Sequence, residues 1–418
     1  MVSSSKRTPA VGFIFVTYVL IVLGFGVLIP VLPRLVTQFR GGDLSEGSHT
    51  YGVLVGTFAL MQFLVAPALG ALSDRVGRRP VILLSLAGAA LDYLIMAFAP
   101  TLTWLFVARA VSGALSGSIA AANAYMADVT PPERRAQNFG LLGAAFGLGL
   151  VLGPAVGGFL GQIDLRLPFF VAAGLAGLNW LYGALVLPES LPQERRRPFA
   201  RRRANPVGAL LALRQFANVL PLAGVHLLAM LAQFSVHTTW VLYTQSRFGW
   251  NPREVGLSLA AVGTMGMLVQ GGLVRWLAPR LGERRCIVIG LCISVTILTC
   301  FGCAWESWMV YALIPLGALA NIAPPALQGL ISRRVPGTEQ GALQGALAGL
   351  GSLAGVIAPP AAAWLFGYGI ATGHAWKTPG AAFFGAALLQ LAGLLIVLRT
   401  QRRSDTPARE TSAALPRS

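Results

Sequence analysis

Twelve apolar runs, each close to the twenty or so residues a helix needs to cross the hydrocarbon core of a bilayer, fill most of this chain. They lie at roughly 10–32, 51–72, 81–99, 104–126, 140–162, 168–187, 218–243, 255–277, 286–304, 308–330, 342–366 and 380–398. In lipid every backbone polar group must be satisfied within its own segment, so runs of this kind fold as helices. The sequence therefore predicts an all-α integral membrane protein with twelve transmembrane helices. Charged residues make up 11% of the 418 residues, against about a quarter in soluble domains, so most of the surface must face lipid. Lys6 and Arg7 precede the first run as they would in a signal peptide. The run is longer than such a segment, and no small-residue cleavage site follows, so a retained first helix is expected.

Charge sets the orientation. Of the 32 lysines and arginines, 25 fall in the N-terminal tail, alternate loops, the 188–217 linker and the C-terminal tail. The other face holds Arg34, Arg40, Arg166, Arg247, Arg253 and Lys377, and Arg109 lies well inside a run. By the positive-inside rule both termini are expected in the cytoplasm. The net charge of +17 suggests nucleic acid in general, but here it sits in short clusters between apolar runs, so no nucleic-acid partner is expected. Cys286, Cys292, Cys300 and Cys303 share one apolar run with no metal-ligand spacing, and neither a metal nor a cofactor is expected.

The linker separates six runs from six. It carries Arg195, Arg196, Arg197, Arg201, Arg202 and Arg203, suited to orientation and to anionic lipid headgroups. The expected divisions are a first half at 1–187, the basic linker at 188–217, a second half at 218–398 and a tail at 399–418. The halves echo each other at an offset near 205 residues. Asp74-Arg75-Val76-Gly77-Arg78-Arg79 follows the second run and Pro279-Arg280-Leu281-Gly282-Glu283-Arg284 the eighth; Gly153-Pro154 in the fifth answers Ala358-Pro359 in the eleventh. Parallel halves of six helices are a transporter architecture, with the substrate between them near the midplane.

These segments resemble the major facilitator superfamily, and within it the drug–proton antiporters of the tetracycline-resistance type. Gly70-Ala71-Leu72-Ser73-Asp74-Arg75-Val76-Gly77-Arg78-Arg79-Pro80 is similar to the loop signature of the superfamily. Arg109 to Gly113 is similar to its fourth-helix motif, and Gly149 to Gly158, with Gly153, Pro154 and Gly157, to the fifth-helix motif of antiporters. Leu91-Asp92-Tyr93, Ala124 to Asp128, and Pro325 to Gln328 resemble the tetracycline group in particular. The resemblance implies two pseudo-symmetric six-helix halves and export of a drug or tetracycline-like compound in exchange for protons, across a bacterial inner membrane. It also implies a conformational latch formed by Gly70, Asp74, Arg75, Gly77, Arg78 and Asp128, with Asp128 as partner of Arg75 or Arg78. The tetracycline group carries ionisable residues at three positions held here by Ile21, Gly266 and Ser294. The other readings are a metabolite transporter of the same fold, importing or uncoupled from protons, and for the loop signature a charged turn that only sets topology.

Several residues carry the expected chemistry. Asp92 is the one acid well inside a run, where a charge costs about 2.5–3.5 kcal/mol on insertion scales. Counted along antiparallel third and fourth helices, Asp92 and Arg109 agree in depth within about 3 Å. They are expected to pair, either as the proton-coupling site that the resemblance implies or as a static bridge between helices. His226, Gln233 and His237 share one face of the seventh helix within about 20°. That face reads as cavity lining, or as histidines satisfied against neighbours. Ser112, Ser116 and Asn123 share a face with Arg109 on the fourth helix; Asn321 and Gln328 are seven apart on the tenth, and Tyr18 and Phe25 on the first. With Gln62 these form the expected substrate cavity, suited to an amphipathic organic molecule. Trp240 and Tyr243 suit either stacking on a ring system or the membrane interface. Gly149, Gly153, Gly157 and Gly161 make a groove for a close helix neighbour, and Pro154 bends that helix. Gly341, Gly345, Gly349, Pro359 and Pro360 are expected to repeat the device in the eleventh. No phosphate-cradling loop or nucleophile motif is present, so neither ATP use nor an enzyme is expected. The expected partners are a small-molecule substrate, protons and membrane lipids, and the chain is expected to act as a monomer.

Overall fold

The computed structural model describes residues 11–196, 208, 212–216, 218–336, 339–371 and 378–404. Arg197, Arg201, Arg202 and Arg203 of the linker, Lys377 and the tail beyond 404 lie outside them. Among the described residues twelve helices are long and apolar enough to span a bilayer. They are α1 (Val11–Phe39), α2 (Leu44–Val76), α3 (Arg78–Phe98), α4 (Leu102–Val129), α5 (Gln137–Ile163), α6 (Leu167–Val186), α7 (Leu220–Phe248), α8 (Pro252–Leu273), α9 (Glu283–Cys303), α10 (Ser307–Ser332), α11 (Leu343–Ile370) and α12 (Ala381–Thr400).

Three helices run further than hydropathy alone places them. α1 turns at Ile29–Val31 and continues to Phe39, because Pro33 fits the first turn of a helix and Val31 O accepts from Leu35 N. α2 begins at Leu44, where the Asp43 carboxylate accepts from the amides of Ser45 and Glu46 as an N-cap. It therefore reaches several residues past the apolar run at each end. α8 passes through a π-helical turn over Val269–Leu273 and continues in helix to Leu281, beyond its apolar run.

Several spans are interrupted. α4 breaks between Leu115 and Ser118, where Ser116 Oγ donates to Gly113 O at 2.6 Å and Ser85 Oγ accepts from Gly117 N at 3.2 Å. α10 tightens to a 3-10 turn over Leu319–Ile322. Ser116 and Asn321 are 205 residues apart, so the two interruptions follow the internal repeat.

Two helix pairs carry most of the contact between the halves: α5 runs along α8, and α2 along α11. Toward the face opposite the basic loops the halves share one core, in which Val27, Leu28, Leu54 and Phe169 cluster with Trp240, Tyr243, Trp250, Val255 and Phe366. Toward the basic face each half has a core of its own. Phe13, Ile82, Tyr125 and Leu142 form one; Leu222, Ile287, Leu327, Leu347 and Val397 form the other. The halves are thus closed on each other at one end and separate at the other. α3, α6, α9 and α12 carry exposed apolar side chains such as Leu94, Leu178, Leu181, Ile289 and Leu395, as lipid-facing helices must.

Trp240 and Tyr243 are neither interface markers nor free for stacking. Both are buried: Trp240 Nε1 donates to Ser258 Oγ at 3.0 Å, and the Tyr243 hydroxyl donates to Phe301 O at 2.5 Å. An aromatic ring in an apolar core settles where its polar end finds an acceptor.

Candidate functional site

Asp92 on α3 and Arg109 on α4 form a buried ion pair, Arg109 Nη2 donating to Asp92 Oδ2. Asp92 is 0% exposed and Arg109 5%. Two further atoms, Asp92 Oδ1 and Arg109 Nε, have no hydrogen-bond partner. α2 supplies the remaining wall. The guanidinium lies 5.2 Å from the centroid of the Phe58 ring, a cation–π contact, and Tyr51 is near enough to interact with it electrostatically. Gly113 lets α4 approach closely, since a methyl group there would fall 2.9 Å from Met61 Cβ. The pair is one charge against one charge in a buried site. Removing either partner leaves the other uncompensated, which typically costs about 3–5 kcal/mol.

α2 has two working faces. One carries Tyr51 and Phe58 to the ion pair. The other carries Gly52 and Gly56 to α11, where methyl groups would fall 2.8 Å from Pro359 O and Pro360 Cγ respectively. α5 is shared in the same way. A methyl group on Gly149 would fall 2.7 Å from Val22, and Gly153, Gly157 and Gly161 press on Gly26, Val27 and Val31, all on α1. Gly158 turns instead to α8, 3.0 Å from Gly256 Cα by the same measure. On α11, Gly345 meets open space, and the helix presents Pro359, Pro360, Ala363 and Gly367 to α2. Spacing shows that a close approach is allowed; it does not show which part of the helix has a neighbour.

At the basic face, Arg78 Nη1 donates to Asp74 Oδ1 at 2.6 Å, and its Nε to Asp128 Oδ2 at 3.2 Å. Arg75 is exposed, and Gly70 has open space around it. The α3 N-terminus is capped by Glu189 and not by Asp74: the Arg78 amide donates to Glu189 Oε1 at 2.8 Å and the Arg79 amide to Oε2 at 3.3 Å. Gly77 makes room for that carboxylate with φ +113, a conformation that suits glycine. Ser190 Oγ donates to Asp128 and the Tyr125 hydroxyl to Pro188 O, both at 3.2 Å. The segment after α6 is therefore tied to α3 and α4. No sequence pattern linked Glu189 to residues 110 positions earlier; the one signal was a glycine at a helix start.

The other candidate residues divide. Tyr18 is buried, within hydrogen-bonding reach of Asn123, so α1 and α4 meet there. Phe25, Gln233 and His237 are exposed on helices whose flanks are packed between neighbours. His237 lies one turn from the buried Trp240. Gln62, Ser112 and Asn321 are half-buried, and Asn321 lies against Gly266. His226 is half-buried and engaged by the backbone of Leu347 on α11. Gln328 donates to Gln344 on α11 at 3.1 Å. Among the described residues no three His, Cys, Asp or Glu side chains gather as a metal site requires.

The sequence profile of the Major Facilitator Superfamily matches residues 14–301 and, overlapping, 222–417. The tetracycline resistance protein, class C, of Escherichia coli is 42% identical over 354 residues, covering 85% of this chain and 89% of that protein. The class B protein of the same organism is 35% identical, covering 94% and 96%. Among solved structures, the human organic anion transporter MFSD10 (TETRAN) superposes with a TM-score of 0.69 at 26% identity, over 94% of this chain and 99% of that one. The nucleoside transporter NupG reaches a TM-score of 0.76 at 10% identity over 94% and 99%, a likeness of fold.

Proposed function

The chain belongs to the major facilitator superfamily, and we propose that within it the protein exports a small amphipathic organic compound in exchange for protons by alternating access. It is a membrane transporter and not an enzyme. The relatives named for tetracycline resistance support a drug, or a compound like it, as cargo. The basic face is the cytoplasmic one in this reading, because lysines and arginines collect in its loops. The membrane is then a bacterial inner membrane, and the halves stand open toward the cytoplasm.

One observation carries the reading: a buried Asp92–Arg109 pair that touches the same helix, α2, on which the closed seam is built. A proton on Asp92 cancels the charge that holds Arg109. The guanidinium then has reason to leave its buried site, and Phe58 moves with it. That displaces α2 against α11, so occupancy of the proton site biases which end of the molecule is closed. Cargo enters between the halves from the cytoplasmic side, against Phe25, Gln233 and His237. Asp74, Arg78 and Asp128 hold the inner ends of α2, α3 and α4 as one body during the movement. The chain acts as a monomer in contact with lipid, its two six-helix halves moving against each other.

The test is efflux of a panel of amphipathic drugs from cells stripped of their own pumps, with and without a protonophore. Energy-dependent export that collapses with the protonophore is expected. Export undiminished by the protonophore would overturn proton coupling, and no export of any compound in the panel would overturn the drug reading.

A further inference from the structure

The closed seam between α2 and α11 is built almost without charge. Ser45 Oγ donates to Gly367 O at 3.0 Å and Ser48 Oγ to Ala363 O at 3.2 Å. Beyond them come Gly52, Gly56, Pro359 and Pro360, small or flat groups that let two backbones meet. One titratable ring sits among them. His49 packs edge-on against Gly367, where a methyl group would fall 2.7 Å from its Cδ2 and closer still to its Nε2. That Nε2 is buried and has no hydrogen-bond partner, and the seam carbonyls of Gly367 and Ala363 already accept from Ser45 and Ser48. The half-buried His49 ring thus sets a buried nitrogen without a hydrogen-bond partner against a glycine.

The surrounding charged groups do not change that. On α2, the Asp43 carboxylate caps its own helix, and Glu46 is exposed one turn from His49. From the end of α1, Arg40 Nε donates to Thr50 Oγ1 at 2.9 Å, which brings a positive charge to the residue beside His49. The α11 stretch Ala363–Gly367 contributes no ionisable side chain. A proton on Nε2 would create a buried N–H with no acceptor in the closed seam, and such a group gains a partner from water if the seam opens.

We propose that His49 makes the outer seam respond to external acid: protonation opens α2 from α11, and deprotonation lets the seam close. His49 is a positioning residue, which takes its proton from the outside and returns it there; it does not carry the transported proton. Its chemistry is distinct from that of Asp92, which is walled off from the seam by α2 itself. The inference uses the orientation given above, in which this seam faces outward. It does not depend on the cargo or on proton coupling, so the two readings fail separately.

The experiment reads distance, not transport. Spin labels at Gln38→Cys and Glu306→Cys, exposed positions at the outer ends of the two halves, report the separation in lipid nanodiscs of a variant lacking the four native cysteines. Lowering the pH from 7.5 to 5.5 is expected to populate a longer distance. One proton changes the open-to-closed ratio by up to about tenfold per pH unit. His49→Gln, with His226, His237 and His374 intact, is expected to remain closed at both values. His49→Arg, a fixed charge at the same place, is expected to be open already at pH 7.5. A pH response that survives in His49→Gln, a closed seam in His49→Arg, or an unmoved distance in the parent protein would each overturn the proposal.

Discussion

Arg109 has one carboxylate to answer it and an aromatic ring beneath it, and nothing else charged within the described core. The consequence is measurable. Arg109→Gln should destabilise the protein by about 3–5 kcal/mol, because it strands Asp92 as a buried anion. The double variant Asp92→Asn, Arg109→Gln should recover a good part of that loss, which denaturant titration in detergent would show. Asp92→Asn alone should retain the cargo-binding faces yet lose uphill transport driven by an imposed pH gradient in vesicles; full activity would remove Asp92 from the coupling step. At Gly77 any side chain meets both an unfavourable φ and the Glu189 carboxylate. Gly77→Ala should therefore cost at least about 1 kcal/mol, and more if the cap on α3 is expelled. The Asp92–Arg109 pair was legible in the sequence because a charge in an apolar run is expensive, and counting residues gives its depth. Glu189 was not, since loops have no period to count. Nor was the engagement of His226 with α11: helical spacing fixes the face a residue shares, and the neighbour decides whether that face is open.

Among the helices, α2 and α5 each serve two partners, and the division is by residue. Gly149, Gly153, Gly157 and Gly161 belong to the packing of the first half, while Gly158, one position from the row, belongs to the seam with α8. Substitution should separate the two roles. Gly157→Leu should lower folding yield, because a side chain there drives into Val27 on α1. Gly158→Leu should leave the first half folded and hold α5 away from Pro252 and Gly256, which labelling of outer-end cysteines would detect. The glycine–proline signature of α5 was readable as a close-packed, bent helix. Its assignment to two neighbours was not, because adjacent residues on a helix differ by about 100° and either face had room. The breaks in α4 and α10 were legible only afterwards, through the 205-residue repeat that relates Ser116 to Asn321.

For the whole molecule, twelve helices and their division into two sixes followed from hydropathy and repeat alone, since lipid leaves a chain so few ways to satisfy its backbone. The state of closure did not, because the same sequence must support both. The shared core on one side and separate cores on the other make a clear prediction. Ser48→Cys with Ala363→Cys, joined by a short bifunctional reagent, should trap the molecule with its outer end shut and stop turnover, and cleaving the reagent should restore it.

The cap that Glu189 places on α3 has a consequence for how the protein can be made. Residues 188–191 close the basic face of the first six helices using only that half's own groups, and both inner cores are complete without exchanging a side chain. Continuity of the polypeptide beyond Arg196 is then a matter of delivery, not of architecture. Two separately translated pieces, divided there, should find each other in the membrane along α2–α11 and α5–α8 and restore drug resistance to a cell that has neither piece alone.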